Sequence, residues 1–427
     1  MKKLLCSIPA LFAVLSVSAQ SAAEIRQIDS LYYCELYRPY PVEKISDDAP
    51  APKGYKPFYI SHLGRHGCRW TVHRRLYDEP LDIFAAAHRA GELTATGERF
   101  YADWQRVAAD AEGRCGDLSP LGAAEHKGIA QRMYRSYPEV FATRKGKPAH
   151  VDCRSTIVPR CILSMAAFAN ELSRLAPEAD ITMEASNANA YYLAAYSGLN
   201  SIKNEATHIS DSVRRANMPD PSRFVASLFA EGSHVANDRI KDAGEFMYEM
   251  YLANAILLAT PHVGISTFDY LFTEDELAAL WRCCNMRRYI LTGPSARFVE
   301  SVRSGARPLL RNIIETANRA IATGDEQATL RFAHDATIIP IVNLLGIGCG
   351  AKVTDDYATI GYDWQVNTVS PMASNVQLVF FRNKAGDILV KVLFCERVQR
   401  LVAEAGEPVD SYYYRWDDLR KFLESRL

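Results

Sequence analysis

The distribution of strand-like and helix-like segments along the chain constrains its fold most strongly. Short apolar segments typical of buried strands lie at 58–63, 150–154 and 180–184, and again at 328–333, 376–381 and 388–394. Helical patterns separate the first three, whereas the block from Asn189 to about Ala320 is helical almost throughout. Strands that alternate with helices, together with a long strand-free block, predict an α/β core with a central mixed sheet plus an inserted α-helical domain.

The chain length also favours two structural units. A chain of 427 residues exceeds the size that one hydrophobic core usually supports. We expect the core to comprise residues 24–188 and 321–427, and the helical insertion to comprise residues 189–320. The loop Asn383–Asp387 between the last two strand segments is typical of a β-hairpin.

Residues 1–19 have the pattern of a secretory signal peptide. Two lysines precede an apolar run from Leu4 to Val17, and small residues lead up to Ala19, after which we expect cleavage. The run is too short to span a bilayer, and no later segment has about 18 unbroken apolar residues. We therefore expect a periplasmic or secreted protein that has no membrane contact after cleavage.

The net charge limits the kinds of ligand that the protein can bind, and the cysteine pattern bears on disulfides and metal sites. A net charge of −1 excludes a broadly basic surface for nucleic acid, but it permits a local basic pocket for a small anionic molecule. Nine of the ten cysteines follow Ala19, and none forms a C-x-x-C pair. We interpret them as disulfide partners or buried small side chains, with the pairing left open, and not as a metal site.

The loop Arg65–Arg69 follows the first strand segment and combines a histidine with two arginines and a glycine. Guanidinium groups bind phosphate oxygens in pairs of hydrogen bonds. A neutral histidine is a nucleophile, and neighbouring positive charges favour the neutral ring by lowering its pKa. The loop therefore indicates a phosphate site with His66 as the attacking group, although an arginine-rich surface loop would have the same five residues.

Two further segments combine a strand end with a helix start. His334 and Asp335 follow the segment 328–333 and open an apolar helix, whose N-terminus attracts anions. Asp335 could donate a proton to a leaving oxygen, or it could cap the helix. His334 could hydrogen-bond a phosphoryl oxygen. The segment Arg154–Arg160 offers another guanidinium, although structural arginines are common at such turns.

Together these segments resemble the histidine acid phosphatase family, branch two of the histidine phosphatases. That family has R-H-G-x-R-x-P near its start, H-D near its end and R-S-T-x-x-x-R between them. The first motif matches at 65–69, with Thr71 in place of the proline; the second matches at 334–335 and the third at 154–160. The resemblance implies the phosphoglycerate mutase-like fold of histidine phosphatases, and it assigns the third phosphate-binding arginine to Arg160 rather than Arg154.

A closer resemblance is to the multiple inositol polyphosphate phosphatases. It rests on the helix start Leu118–Gly122 and on the segments 375–380 and 392–396, and the similarity extends from about Phe58 to about Arg397. Those phosphatases typically have H-A-E where this chain has His334-Asp335-Ala336. The H-D form is typical of acid phosphatases and related phytases. The motif therefore does not decide whether the substrate is an inositol polyphosphate or a simpler phosphomonoester.

The resemblance implies a reaction and a set of site residues. We expect hydrolysis of a small phosphomonoester, with inositol polyphosphates such as phytate as the first candidate, through a phosphohistidine at His66 with Asp335 as the acid. Phosphate binding is assigned to Arg65, Arg69, Arg160 and His334. No metal or other cofactor is required, because guanidinium groups take the place that magnesium would occupy. The alternatives are a broad-specificity acid phosphatase or sugar phosphatase, and a non-catalytic phospholigand-binding protein, against which the complete residue set argues.

Residues just after the nucleophile loop are candidates for substrate specificity, because related phytases place residues that line the substrate site there. These candidates are Trp70, Thr71, His73, Arg74 and Arg75. Three of them have basic side chains, which suits a substrate with several phosphates. We expect replacement of Arg74 and Arg75 by alanine to impair phytate turnover more than monophosphate turnover. A solvated loop with one ion-paired arginine is the alternative.

Overall fold

The structure, a computed structural model, describes residues 21–42, 49–144, 146–194 and 196–427. The predicted signal peptide at 1–19 lies outside the described residues. Among the helices that the structure describes, none is long and apolar enough to cross a membrane.

Eight strands form one sheet. They are β1 (Lys56–Arg65), β2 (His150–Ser155), β3 (Asp180–Ala185), β4 (Ala328–Ala333), β5 (Asn375–Arg382), β6 (Ile388–Phe394), β7 (Arg397–Val398) and β8 (Tyr413–Arg415).

The α-helices follow in chain order. They are α1 (Ala22–Ile28), α2 (Arg75–Ala90), α3 (Ala95–Asp110), α4 (Pro120–Ser136), α5 (Pro159–Leu175), α6 (Ala190–Leu193), α7 (Ser197–Asn217), α8 (Ser222–Leu228), α9 (His234–Arg239), α10 (Ala243–Ala255), α11 (Glu274–Thr292), α12 (Val299–Thr323), α13 (Asp335–Leu344), α14 (Gly348–Ala351), α15 (Ile360–Asp363), α16 (Val366–Val369) and α17 (Trp416–Glu424). A short 3-10 helix at Tyr32–Tyr37 precedes β1.

The sheet is mixed, and the predicted α/β fold is confirmed. Its strand order is β3-β2-β4-β1-β5-β6-β7, with β8 also pairing with β6. The pairs β3–β2, β2–β4 and β4–β1 are parallel, whereas β1–β5 and β5–β6 are antiparallel. The hairpin predicted at Asn383–Asp387 joins β5 and β6. The sequence patterns did not predict β7 and β8, because strands of two and three residues are too short to show alternation.

Two hydrophobic clusters hold these elements together. The larger one contains the apolar faces of the central strands with α5, α12, α13 and α17. The second one lies among helices and combines side chains of α2 and α3 with those of α8, α10 and α11. The described residues between 189 and 320 contain helices and no β-strand. The boundaries of the helical insertion stay a prediction, and we propose that α2 and α3 belong to the same helical unit.

The nine cysteines of the described residues are free thiols, and seven of them are buried. Cys68, Cys283 and Cys284 lie in the helical cluster, and Cys153 and Cys395 in the sheet cluster. This placement agrees with the interpretation of the cysteines as small buried side chains.

Candidate active site

Three parallel strands end at one edge of the sheet and bring the predicted motifs together. Since β4 lies between β1 and β2, His66, Thr156 and His334 directly follow neighbouring strand ends. The backbone N–H of His66 donates to the Ala333 carbonyl over 3.0 Å, which ties the nucleophile loop to the end of β4. Ligands bind at this edge in open α/β sheets. Sheet topology thus unites residues that are far apart in the sequence.

The His66 side chain is buried and has one free ring nitrogen. Its exposed fraction is 1%, and its Nδ1 lies 2.9 Å from the Gly67 carbonyl oxygen. Because a carbonyl only accepts, Nδ1 carries the proton and Nε2 keeps its lone pair. Burial, followed by the charges of Arg65, Arg69 and Arg160, holds the pKa of His66 well below its usual value. The ring is therefore neutral in mild acid. Two loop arginines contribute as the sequence predicts, although burial is the larger cause.

Close backbone packing against α4 fixes the shape of the nucleophile loop. A Cβ on Gly67 would lie 2.4 Å from the Gly122 carbonyl oxygen, and a Cβ on Gly122 would lie 2.2 Å from the Cys68 carbonyl oxygen. The N–H of Cys68 donates to the buried carboxylate of Glu125 over 2.8 Å, and the N–H of Ser119 donates to the Cys68 carbonyl, also over 2.8 Å. The two glycines are required because no side chain fits between the loop and α4.

Three guanidinium groups surround His66 with donors that have no partner among the described residues. Arg65 is fully buried; its Nη1 donates to the carbonyls of Leu36 and Ser370, over 2.8 and 2.5 Å, while its Nε and Nη2 are unpaired. The Nε atoms of Arg69 and Arg160 are also buried and unpaired. Burial, and then the charge of Arg69, lowers the pKa of Arg160. Crowded, unpaired cations of this kind form a site for an anion such as phosphate.

His334 stands edge-on to His66, with 5.6 Å between the ring centres. Its Nε2 lies 3.2 Å from the hydroxyl oxygen of Thr156 and 3.6 Å from Sγ of Cys161. Burial, followed by the charge of Arg160, lowers the pKa of His334 to about 4. Above that pH the ring is neutral. The contact with Thr156 gives the R-S-T motif a role in orienting His334 that the sequence patterns did not reveal.

Asp335 is the first residue of α13 rather than its cap. The cap position is His334, whose side chain makes no capping hydrogen bond. Burial alone would raise the pKa of Asp335, but the charges of Arg65, Arg288, His334 and Arg69 outweigh it and lower the pKa to about 2. Asp335 is therefore an ionised carboxylate at moderate pH.

A cavity of about 650 Å³ opens above Asp335 and Arg69. Its wall contains five arginines and four carboxylates, which are Arg69, Arg75, Arg214, Arg287, Arg288, Asp211, Glu245, Glu249 and Asp335. Three of these arginines are paired: Arg75 with Glu249 (2.7 Å), Arg214 with Glu245 (2.7 Å), and Arg288 with the buried Glu35. The positive and negative charges of the wall nearly balance. Among the described residues, Arg69 and Arg287 have no carboxylate partner.

The structure separates the five predicted specificity residues into two groups. Thr71, His73 and Arg75 line the cavity. Trp70 and Arg74 do not, and this corrects the prediction for both. The indole of Trp70 is buried and donates to Asp110 over 2.9 Å. Arg74 pairs with two carboxylates outside the cavity wall, Asp78 (2.8 Å) and Glu112 (2.9 Å). The start of α2 turns consecutive side chains to opposite sides, which loop residues alone do not reveal.

Arg154 lies away from the site, and Arg160 lies in it. Arg154 pairs with Asp152 over 2.7 Å and with Glu184 over 3.5 Å, and it lines a separate surface cavity of about 430 Å³. Arg160, in the first turn of α5, instead acts on the pKa of His66. Successive side chains of a strand point to opposite faces of the sheet. The side chain of Arg154 therefore lies on one face of β2, away from the groups that meet at the strand end.

Several residues of the site carry no sequence signal. Arg288 comes from α11, in the helical block, and faces the cavity together with Asp335. Arg287 is its neighbour on the same helix, while α7 contributes Asp211 and Arg214. A helical pattern shows which residues are charged, but it does not show which of them face a cavity formed by another segment. Among the described residues, no group of three or more His, Cys, Asp or Glu side chains could hold a metal ion.

The chain belongs to the histidine phosphatase superfamily, branch 2, because the model of that family matches residues 61–395, more than half of the chain. Its members are phosphatases, and the chain is accordingly a phosphatase. Among curated proteins, none matches the chain significantly.

Solved structures with the same fold extend over nearly the whole chain. A multiple inositol polyphosphate phosphatase of Bifidobacterium longum, in complex with inositol hexasulfate, is 20% identical with a TM-score of 0.76, and covers 92% of this chain and 97% of its own. A phytase of D. castellii is 13% identical with a TM-score of 0.72, and covers 94% and 86%. A Hafnia alvei phytase is 12% identical with a TM-score of 0.53, and covers 88% and 98%. At these identities the likeness concerns the fold.

Proposed function

We propose that the protein is an exported phosphomonoesterase that hydrolyses inositol polyphosphates such as phytate through a phosphohistidine at His66. One observation carries the proposal. A neutral His66, with Nε2 unprotonated, lies among three guanidinium groups that have buried, unpaired donors, and next to the helix start that bears Asp335. Export rests on the pattern of residues 1–19.

In the first step, phosphate oxygens bind the free donors of Arg65, Arg69 and Arg160, with His334 as an additional neutral donor. The lone pair of Nε2 of His66 forms a bond to phosphorus as the bond from phosphorus to the ester oxygen breaks. Asp335 gives its proton to that departing oxygen, so the alcohol leaves neutral. The guanidinium groups stabilise the charge that develops on the phosphoryl oxygens.

In the second step, Asp335 takes a proton from a water molecule as the water oxygen bonds to phosphorus. The bond between phosphorus and Nε2 breaks, inorganic phosphate is released, and His66 returns to its neutral form. The reaction thus consumes one water and returns both side chains to their starting protonation states.

The protonation of Asp335 predicts an acidic optimum. The protein's own charges lower its pKa to about 2, so the carboxyl group is ionised at moderate pH. A bound phosphate contributes negative charge next to the same arginines and raises the pKa of Asp335 towards the working pH. Activity that peaks at alkaline pH would contradict this scheme.

The substrate assignment rests on the cavity and on the relatives. The cavity is large enough for a substituted ring, its wall has five arginines, and a relative of the same fold was solved with inositol hexasulfate. A broad-specificity acid phosphatase or sugar phosphatase is the second candidate. The observation that favours it is the set of four carboxylates in the wall, which lowers the net positive charge available to a highly charged substrate.

Product profiling tests the proposal. Wild-type protein is incubated with phytate and, in parallel, with sugar phosphates at about pH 4–5, near carboxylate titration. We expect faster turnover of phytate per unit of enzyme, and loss of turnover for His66→Ala. Equal turnover of all substrates would favour the broad-specificity enzyme. A His66→Ala variant with full activity would exclude the phosphohistidine, and wild-type protein that binds phosphate without hydrolysing any ester would favour a phospholigand-binding protein.

A further inference from the structure

A short segment ahead of the family match contacts three of the guanidinium groups of the site. Residues Glu35, Leu36 and Tyr37 are consecutive in the 3-10 helix Tyr32–Tyr37, whereas the family model begins at residue 61. We propose that Glu35 and Tyr37 are positioning residues of the active site, Glu35 as the counter-charge of Arg288 and Tyr37 as the support of Arg69. This inference rests on the proposed function, because Arg69 would bind phosphate and Arg288 lies near the proposed acid Asp335.

Glu35 places a fully buried carboxylate behind the cavity wall. Its exposed fraction is 0%, and its Oε1 accepts from Nε of Arg288. A carboxylate is buried at this depth only with a counter-charge, and here that counter-charge is Arg288, which lines the same cavity as Asp335. Since Glu35 itself does not line the cavity, it affects substrate and Asp335 through Arg288.

The backbone of Glu35 is held in an unfavourable conformation. Its φ is 51° and its ψ is −130°, in a half of the conformational map that residues with a side chain rarely adopt. Such conformations persist where the surrounding contacts enforce them, and they concentrate at functional sites. Because the backbone kinks at Glu35, neighbouring residues point in different directions. The Glu35 carboxylate contacts Arg288, while Leu36 and Tyr37 contact arginines of the loop 65–69.

The next two residues hold the arginines on either side of His66. The Leu36 carbonyl accepts from Nη1 of Arg65 over 2.8 Å. The Tyr37 ring lies beneath Arg69, with 5.1 Å between the guanidinium carbon and the ring centre. This cation–π contact holds the planar guanidinium without using its hydrogen-bond donors. Nη1 of Arg69 donates to the Trp70 carbonyl over 2.9 Å, and its Nε has no partner among the described residues.

Contacts on both sides anchor the segment. Arg38 pairs with Asp29 over 3.0 Å, and Asn367 donates to the same carboxylate over 2.9 Å. The N–H of Met372 donates to the Arg38 carbonyl over 2.8 Å. A segment fixed in this way can hold the arginines to one geometry, which is what efficient catalysis by electrostatic stabilisation requires.

The first experiment removes the charge of Glu35 and keeps its shape. In Glu35→Gln, the amide oxygen still accepts from Arg288, but the positive charge of Arg288 is no longer balanced. We expect inorganic phosphate to bind roughly threefold or more tightly by calorimetry. We also expect the alkaline limb of the kcat pH profile, on which the acid Asp335 loses its proton, to move down by roughly 0.5–1 unit, because Asp335 becomes harder to protonate. A loosened site would instead bind phosphate more weakly, and that result would overturn the proposal.

A matched control and a double variant complete this test. Glu276 lies on α11, the helix that bears Arg288; it is largely buried and pairs with Arg223, but it does not line the cavity. Glu276→Gln should lose thermal stability without a change in phosphate affinity or pH profile. If Glu35 acts through Arg288, Glu35→Gln should have no further effect on phosphate affinity in an Arg288→Gln background. Equal effects of Glu35→Gln in both backgrounds would contradict the mechanism.

Two variants of Tyr37 test the proposed support of Arg69 independently of Glu35. They remain informative if Glu35→Gln does not fold. Tyr37→Phe keeps the ring under Arg69 and should retain the wild-type KM, whereas Tyr37→Leu removes the ring and should raise KM for every phosphomonoester roughly threefold or more. Equal KM values for the two variants would exclude the support of Arg69. Wild-type protein without any esterase activity would refute the proposed function alone, since phosphate binding by calorimetry still tests the segment.

Discussion

The Nδ1 atom of His66 lies 2.9 Å from the carbonyl oxygen of Gly67, the next residue in the chain. This contact assigns the ring proton to Nδ1 and leaves the lone pair on Nε2, the atom that we propose as the nucleophile. The glycine is constrained by Gly122 on its other side, so the carbonyl that orients the histidine is itself fixed by packing. The fold therefore holds the His66 ring in the one tautomer that the proposed reaction requires.

Arg160 and Arg154 form a matched pair of arginines from one sequence motif. Arg160 has an unpaired Nε beside His66, whereas Arg154 is paired with Asp152 and Glu184 outside the site. We expect Arg160→Ala to lower kcat/KM roughly 10²–10³-fold, as loss of a group that stabilises the transition state does. Arg154→Ala should keep nearly wild-type kcat/KM and lose only stability. Steady-state kinetics with one phosphomonoester checks both, and an equal loss would refute the assignment.

Arg75 is predicted to affect substrate choice and Arg74 is not. Arg75 lines the cavity, and Arg74 is paired with Asp78 and Glu112 outside its wall. Arg75→Ala should raise KM for phytate roughly tenfold, the value of a charged hydrogen bond, with little change for a small monophosphate. Arg74→Ala is the control and should leave the ratio of the two kcat/KM values unchanged. A change in that ratio for Arg74→Ala alone would contradict the geometry.

We expect Glu249 to compete with substrate phosphate for Arg75, since the side chains of Glu249 and Arg75 pair over 2.7 Å and both residues line the cavity. Glu249→Gln should therefore raise kcat/KM for phytate roughly two- to fivefold, because ion pairs this exposed are worth up to about 1 kcal/mol. Glu79 pairs with the same arginine over 2.7 Å but does not line the cavity. Glu79→Gln should have no effect on phytate turnover. Equal effects of Glu249→Gln and Glu79→Gln would contradict the proposed competition for Arg75.

The packing of α4 against the nucleophile loop predicts opposite effects for two glycines of one helix. In Gly122→Ala, the new Cβ would lie 2.2 Å from a backbone oxygen of Cys68. We expect a loss of about 1–3 kcal/mol in the free energy of unfolding and a fall in kcat as the loop shifts. In Gly128→Ala, the Cβ meets only the end of the flexible Arg132 side chain at 3.0 Å. That variant should keep kcat and gain up to about 1 kcal/mol. The free energy of unfolding in denaturant and the kcat of both variants test this prediction.

Two buried histidines predict how stability changes with pH. Burial lowers the pKa of His62 and of His126 to about 3. The unfolded chain therefore binds more protons than the folded one between about pH 6.5 and pH 3, and stability falls as the pH falls through that window. Each histidine contributes about 1.4 kcal/mol per pH unit within it.

His62→Leu checks this prediction, since the ring lies between Phe168 and Phe332. The free energy of unfolding of this variant, measured from pH 7 to pH 4, should fall less steeply than that of the wild type. His234→Gln, on an exposed position of α9, is the control and should follow the wild type. A wild-type stability that does not change over this range would refute the prediction.

Local sequence patterns predicted the strands and the chemistry at their ends. The run ahead of Arg65, the motif at 65–69 and the pair His334–Asp335 are each complete within a few residues, and period-two or helical spacing identifies the element that bears them. For the same reason the mixed α/β fold followed from the order of segments. The short strands β7 and β8 did not, because their pairing with β6 depends on residues that are distant in the chain.

The sequence by itself determined which residue types stand at the strand ends, and the tertiary structure alone decided which other side chains join them. Arg288 and Glu35 meet across more than 250 residues of chain, and neither belongs to a local pattern. Arg75 faces the cavity and Arg74 does not, because the direction of a side chain depends on how α2 packs. Even the low pKa of His66 has burial as its largest cause. Desolvation and facing direction are properties of packing between distant segments, so they appear only once the chain is folded.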